Sequence, residues 1–298
     1  MVFPPSILNR YLFHPIQALT AILVFSSFRL LPFDIASSVG GWIARSIGPR
    51  LAVSQRAVRN LQRAFPEKGP TKIAAIVSGM WENLGRLAGE YPHLSRVDVY
   101  AAGGPVEIVG VEFVDQLRDD GKPGIFFSAH IANWEIVSLG ATQRGLPLDR
   151  VYRAANNPLV EWLFRQGRSA VDGALIPKGP KGARHLLKAL KEGKHLGLLV
   201  DQKMNDGIPV PFFGRDAMTA PALAELALRF DCPVVPARVV RLNGSRFRLI
   251  VEEPLTVVKS GNRQDDVLAL MTAVNTRIET WVRANPSQWL WLHNRWPD

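Results

Sequence analysis

The chain has 298 residues, 47% hydrophobic and 21% charged, a balance that excludes a disordered, collagenous or coiled-coil protein. Its single cysteine, Cys232, excludes an internal disulfide and a multi-cysteine zinc site, and a mean hydropathy of +0.03 is too low for a polytopic membrane protein. The net formal charge of +10 favours an anionic partner: nucleic acid, an anionic membrane or an acidic substrate.

Residues Tyr11 to Phe33 read YLFHPIQALTAILVFSSFRLLPF, with no Lys, Arg, Asp or Glu between Phe13 and Phe28. A spanning helix needs about 20 apolar residues, so this stretch suits a single span or a helix lying in the interface, with Arg10 and Arg29 reaching the headgroups from its two ends. A buried core helix is the alternative; a cleaved signal peptide fits poorly, because no A-x-A-like site follows. Arg45, Arg50, Arg56, Arg59 and Arg63 come next, with no acid until Glu67 after the segment's last arginine. Basic flanks stay on the cytoplasmic side, which places the body in the cytoplasm against an anionic inner leaflet.

The remainder alternates helix and strand. Apolar spacing predicts helices over Leu51–Phe65 and Thr71–Tyr91. Strands are predicted at Gly124–His130, Leu148–Arg153, Ala174–Pro177 and His195–Gln202, interleaved with helices at Asn133–Gly145, Asn157–Arg168 and Gly182–Gly193. A helix at Ala220–Phe230 leads to two strands, Pro233–Leu242 and Arg246–Leu255, paired antiparallel about Asn243-Gly244-Ser245, and a long amphipathic helix follows at Asp265–Arg283. This order implies an α/β fold with a mostly parallel central sheet flanked by helices. Residues 51–298 form the α/β domain, and residues 1–50 the N-terminal helical membrane anchor with its basic flank. In open α/β sheets ligands sit at the carboxyl ends of strands. Here those ends carry His130, Arg153, Pro177 and Asp201.

No G-x-S-x-G elbow, P-loop, G-x-G-x-x-G or H-E-x-x-H motif occurs, which removes most support for serine hydrolases, nucleotide-binding enzymes and zincins. His130 ends its strand, and Glu135 follows in the first turn of the next helix, in H-I-A-N-W-E. A strand-to-helix turn of this length can fold the carboxylate beside the imidazole. A carboxylate on one ring nitrogen fixes the tautomer and raises the basicity of the other, the chemistry needed to deprotonate an alcohol. The spacing alone equally suits a histidine at a helix start, with Glu135 serving the helix dipole.

In context, S-A-H-I-A-N-W-E resembles the H-x4-D/E motif of the glycerolipid and lysophospholipid acyltransferase superfamily. Within it the chain is most similar to the lipid A late acyltransferases of Gram-negative bacteria. The resemblance also runs through Arg56–Glu67, Val151–Leu163, L-V-D-Q at Leu199–Gln202, P-V-P-F-F-G-R at Pro209–Arg215 and Q-W-L-W-L-H-N-R-W at Gln288–Trp296. It implies an O-acyltransferase that moves a fatty acyl chain from an acyl carrier protein thioester to a hydroxyl of a Kdo-bearing lipid A precursor. It further implies His130 as general base oriented by Glu135, with Asp201 and Gln202 as site residues and Arg168 as the match to an arginine that follows the catalytic acid. Thioester and ester are similar in energy, so no nucleotide is required; no cofactor and no metal are expected. Candidate oxyanion donors are backbone N–H groups at the start of the Asn133 helix, or an arginine.

Between Arg144 and Lys203 the basic residues exceed the acidic ones by seven. This suits a cradle for the phosphates and carboxylates of an anionic glycolipid acceptor and for an acidic carrier protein, with Arg153 and Arg168 as its foremost members. Lys188, Lys191 and Lys194 suit a solvated helix face. Phe212 and Phe213 belong to an apolar loop that lines an acyl tunnel, dips into the bilayer or packs in the core. Trp289, Trp291, Trp296 and Arg295 have interfacial character or pack on the sheet. Three other functions remain to be weighed. One is an acyl-CoA-dependent acyltransferase of another glycolipid or lysophospholipid. Another is a membrane-tethered nucleic-acid binder, which lacks any stacking or helix-turn-helix pattern, so no nucleic-acid partner is expected. The last is a dead scaffold, against which the intact His130 and Glu135 stand.

Overall fold

A computed structural model describes residues 13–257 and 259–296. Helices α1 (His14–Leu30), α2 (Phe33–Ile47), α3 (Ser54–Ala64) and α4 (Pro70–Glu90) precede the sheet. The strands are β1 (Val106–Val109), β2 (Ile125–Ser128), β3 (Leu148–Tyr152), β4 (Leu175–Pro177), β5 (His195–Leu199), β6 (Ile208–Phe212), β7 (Arg215–Thr219), β8 (Val234–Asn243) and β9 (Arg246–Val251). Between and after them lie α5 (Val111–Asp119), α6 (Glu135–Gln143), α7 (Pro158–Gly167), α8 (Pro180–Lys191), α9 (Ala222–Phe230) and α10 (Arg263–Ala284).

Seven strands form one sheet in the order β1-β9-β8-β2-β5-β3-β4. Every neighbouring pair is parallel except the β8–β9 hairpin. β2 is buried at every position, as a strand covered on both faces must be. Phe127 stacks on Trp281 of α10, with ring centroids 5.7 Å apart. Its neighbour Phe126 points to the other face, where with Val137 and Gly140 of α6 it lines a small apolar space. The sheet is thus sandwiched between helical layers.

The N-terminal region differs from expectation. Among the described residues no helix is long and apolar enough to cross a membrane, so a spanning anchor is not found. α1 has 17 residues and ends at Leu31-Pro32, and Arg10 lies outside the described residues. α1 is tied to the body along its length: Asn157 Nδ2 donates to the His14 carbonyl at 2.7 Å, and the Phe28 carbonyl lies 2.8 Å from Nε2 of His93. α2 packs backbone to backbone on α4. A Cβ on Gly40 would fall 2.3 Å from the Gly85 carbonyl oxygen, and one on Gly89 would fall 2.2 Å from that of Ala36, so only glycine permits this approach.

The expected Pro-Phe-Phe loop is instead the β6–β7 hairpin. Its tip, Phe213-Gly214, has φ of 54° and 68°, the two left-handed residues that a tight hairpin turn requires. A phenylalanine tolerates this backbone because its ring is seated against Phe65, Trp291 and Trp296 and its N–H donates to Glu279. The C-terminal tryptophans are core residues, not interfacial ones: Trp289, Trp291 and Trp296 are all fully buried. Arg295 is buried with them. Its guanidinium donates to the Met218 carbonyl, Thr219 Oγ1 and Asn275 Oδ1 at 2.9–3.1 Å, and burial pushes its pKa down to about 10.

Candidate active site

The site begins with strand register. In the parallel β2–β5 pair, Ser128 lies opposite Leu199. His130 and Asp201 each stand two residues beyond, at the carboxyl edge of adjacent strands. Nδ1 of His130 lies 2.8 Å from Oδ1 of Asp201, and the His130 backbone N–H donates to Oδ2 at 2.9 Å. Trp289 Nε1 also donates to Oδ2, at 2.7 Å. Burial works against the Asp201 carboxylate, but the His130 imidazole and backbone N–H, with the neighbouring His293, hold its pKa far below the usual carboxylate range. An ionised Asp201 can only accept, so Nδ1 of His130 carries the proton and Nε2 presents its lone pair.

The carboxylate on the imidazole is therefore Asp201 rather than the expected Glu135. Glu135 opens α6, and both its oxygens are engaged by Arg168, with Nε to Oε2 at 3.0 Å and Nη2 to Oε1 at 2.6 Å. Trp134 packs edge-on against the His130 ring, with centroids 4.9 Å apart. Arg168 caps the C-terminal end of α7 and lies over the Tyr91 ring. Tyr91 in turn donates to the Phe164 carbonyl of α7 at 2.9 Å.

The turn between His130 and Glu135 is fixed from two sides. Asn133 Nδ2 donates to Glu90 at 2.9 Å. The buried Glu90 carboxylate also accepts from Ser37 Oγ and from the Arg241 guanidinium, so its charge is paired and fully hydrogen-bonded. From the C-terminal side, the Ala132 N–H donates to the Gln288 carbonyl and the Leu290 N–H to the His130 carbonyl. Ala132 sits at φ 50°, in the left-handed region, and the clamp holds it there.

A cavity of about 290 Å3 opens beside His130. His130, Glu135, Arg153, Arg168 and Gln202 all line it, with Lys178 at the same edge; Asp201 is buried behind the imidazole. Arg153 is exposed, and Arg168 and Gln202 are partly buried. The cavity runs down the sheet face over a row of register partners on four strands: Phe126, Gly197, Arg150 and Leu175. Gly197 leaves a notch between Phe126 and the buried Arg150.

Two residues of this region escaped the reading of the sequence as individual candidates. Arg150 was visible only as one member of a basic cluster; its Nη2 donates to the Val171 carbonyl at 3.1 Å, while its Nε and Nη1 meet no partner among the described residues. His293 gave no signal beyond its place in Q-W-L-W-L-H-N-R-W. Its Nε2 lies 3.1 Å from Nε2 of Gln202, which is itself 3.3 Å from Nε2 of His130.

The arrangement supplies a base with a fixed tautomer, a polar and basic mouth, and an apolar recess. A model of the family described as bacterial lipid A biosynthesis acyltransferase matches residues 8–298. A Haemophilus influenzae protein named lipid A biosynthesis acyltransferase is 26% identical, over 91% of this chain and 83% of its own. The lipid A biosynthesis lauroyltransferase of Escherichia coli is 26% identical over 80% of this chain and 76% of its own. The palmitoleoyltransferase of the same organism is 25% identical over 99% and 96%. With a family match running over nearly its whole length and an imidazole–carboxylate pair at the mouth of its sheet, the chain belongs to the bacterial lipid A biosynthesis acyltransferases.

Proposed function

We propose that this acyltransferase moves a fatty acyl chain from an acyl carrier protein thioester to a hydroxyl of a Kdo-bearing lipid A precursor, with His130 as the general base. The observation that carries this reading is the His130–Asp201 pair at the mouth of a half-apolar cavity. Nε2 of His130 takes the hydroxyl proton as the oxygen attacks the thioester carbonyl, then gives that proton to the departing thiol. Asp201 holds the ring in the required tautomer and stabilises the imidazolium that forms. The acyl chain lies along the Phe126–Gly197 face. Arg153, Lys178 and Arg168 meet the anionic groups of the acceptor, and Glu135 holds the Arg168 guanidinium in its orientation.

We further propose that the protein sits on the cytoplasmic face of the inner membrane, a reading that its surface supports. Leu19 and Leu23 of α1 are each 59% exposed, Trp42 of α2 is 70% exposed, and Trp162 of α7 is 54% exposed. Exposed arginines, among them Arg45, Arg50, Arg56 and Arg59, lie on the following turns. Apolar side chains flanked by basic ones favour a monotopic seat on an anionic leaflet. α7 joins this surface to the cavity through Arg168, so a lipid acceptor reaches His130 from the bilayer side.

Mass spectrometry of lipid A from cells with and without the gene tests the substrate. Loss of one acyl chain supports the reading, and an unchanged lipid A profile overturns it. Purified protein given acyl-ACP or acyl-CoA in separate reactions identifies the donor.

A further inference from the structure

Gln202 stands where the reaction takes place. Its Nε2 is 3.3 Å from Nε2 of His130 and 3.1 Å from Nε2 of His293. The Lys178 ammonium, which can only donate, faces the Gln202 Oε1 at 3.5 Å, so the amide N–H groups point to the two imidazoles. His293 is fixed from behind, its carbonyl accepting from Asn60 Nδ2 at 2.6 Å. Burial, then the neighbouring His130, push its pKa down to about 4, with Lys178 and Arg56 acting in the same direction and Asp201 against. It is therefore a neutral acceptor at physiological pH. The Gln202 amide is held by three groups beside the base, in a position that an acceptor hydroxyl must share.

Building on the acyl transfer proposed above, we propose that Gln202 donates to the oxyanion of the tetrahedral intermediate and that His293 is the positioning residue that aims it. The acceptor hydroxyl displaces the amide from Nε2 of His130. Its oxygen then bonds to the thioester carbonyl carbon while its proton passes to Nε2. The carbonyl π electrons move onto oxygen, which accepts from the freed Gln202 N–H. Collapse re-forms the C=O bond and breaks C–S, and the sulfur leaves with the proton from Nε2. His293 retains the second amide N–H throughout, so the donor turns about a fixed point instead of swinging into solvent. Preorganised donors of this kind contribute on the order of 10²–10³ in kcat.

The test is acyl transfer by purified full-length protein, comparing wild type, Gln202→Ala, His293→Ala, the double variant, His293→Gln and His130→Ala, with folding checked by thermal melts. Gln202→Ala is expected to lower kcat about 100-fold with acceptor KM within about threefold. His293→Ala is expected to lose on the order of tenfold, and the double variant no more than Gln202→Ala alone, because both act through one donor. His293→Gln, which keeps an acceptor, is expected to recover part of the loss. Losses that multiply in the double variant, or a His293→Ala enzyme with wild-type kcat, overturn the positioning role. A Gln202→Ala enzyme within about threefold of wild type, alongside an inactive His130→Ala, overturns the oxyanion donor while leaving the base intact. An active His130→Ala removes the base reading itself.

Discussion

Trp289 donates its indole N–H to the same Asp201 carboxylate that holds His130, at 2.7 Å. Trp289 is fully buried and comes from the segment that follows α10, 88 residues away from Asp201 in the chain. A segment distant in sequence thus holds Asp201, which in turn holds His130. A hydrogen bond to a buried charge contributes roughly 1.5–3 kcal/mol. Trp289→Phe keeps most of the ring and removes the donor, and should lower kcat about tenfold with little change in acceptor KM. Steady-state kinetics with varied acceptor checks this.

The Glu135–Arg168 pair should behave as a unit. Glu135→Ala leaves a largely buried guanidinium without its partner. It is expected to cost about 3 kcal/mol, the low end for a broken buried pair because Arg168 keeps some contact with solvent. The double variant Glu135→Ala with Arg168→Met should be more stable than Glu135→Ala alone. Urea unfolding of the three proteins measures the coupling.

Gly197 lines the cavity in which the proposed acyl chain lies. A Cβ there would lie 3.3 Å from both Arg150 Cγ and Leu148 Cδ1, so Gly197→Val fills the notch and presses on its walls. Overpacking of this kind costs about 1–3 kcal/mol. The variant should transfer shorter chains in preference, with about a tenfold loss for the longest donor that the wild type uses. A panel of acyl donors of graded length gives the answer.

His293 should make stability fall on the acid side of neutrality. Its pKa drops from 6.5 to about 4 on folding, through burial and then the adjacent His130. Above 6.5 it is neutral in both states. Between 6.5 and about 4 the unfolded chain takes up a proton that the folded chain refuses, and stability falls by up to roughly 1.4 kcal/mol per pH unit. Asp201, whose folded pKa is depressed, adds its own loss only below 3.8. Thermal melts from pH 7 to 4 should show a shallower decline for His293→Gln than for wild type.

Much of this site was legible in the residues. His130, Arg153 and Asp201 are strand-end residues by chain order alone, and the strands that carry them form where apolar runs predict. Strand order was not legible: β5 is separated from β2 in sequence by two strands, yet it inserts beside β2 and brings Asp201 to His130. Glu135 is nearer in sequence, but the C-terminal end of α7 brings Arg168 to it. The hairpin at Phe213 was hidden because a phenylalanine with positive φ carries no turn signal. From sequence the tryptophans suit either an interfacial role or packing on the sheet, because a short aromatic segment shows no periodicity, and only the tertiary fold shows what covers them. The apolar run at the N-terminus was plain, but whether such a run spans or lies flat depends on what its helix packs against. Here Asn157 and His93 tie α1 to the body.

The most direct test is the transfer rate of Asp201→Asn, measured with acyl donor and lipid A precursor under single-turnover conditions. The amide keeps the shape of the site but can donate to Nδ1, which shifts the proton to Nε2 and removes the base. The expected result is a folded protein, verified by its melt, with the rate reduced on the order of 10³–10⁴-fold. A folded Asp201→Asn protein that transfers acyl chains within a few-fold of wild type would contradict the assignment of His130 and Asp201 as the catalytic pair.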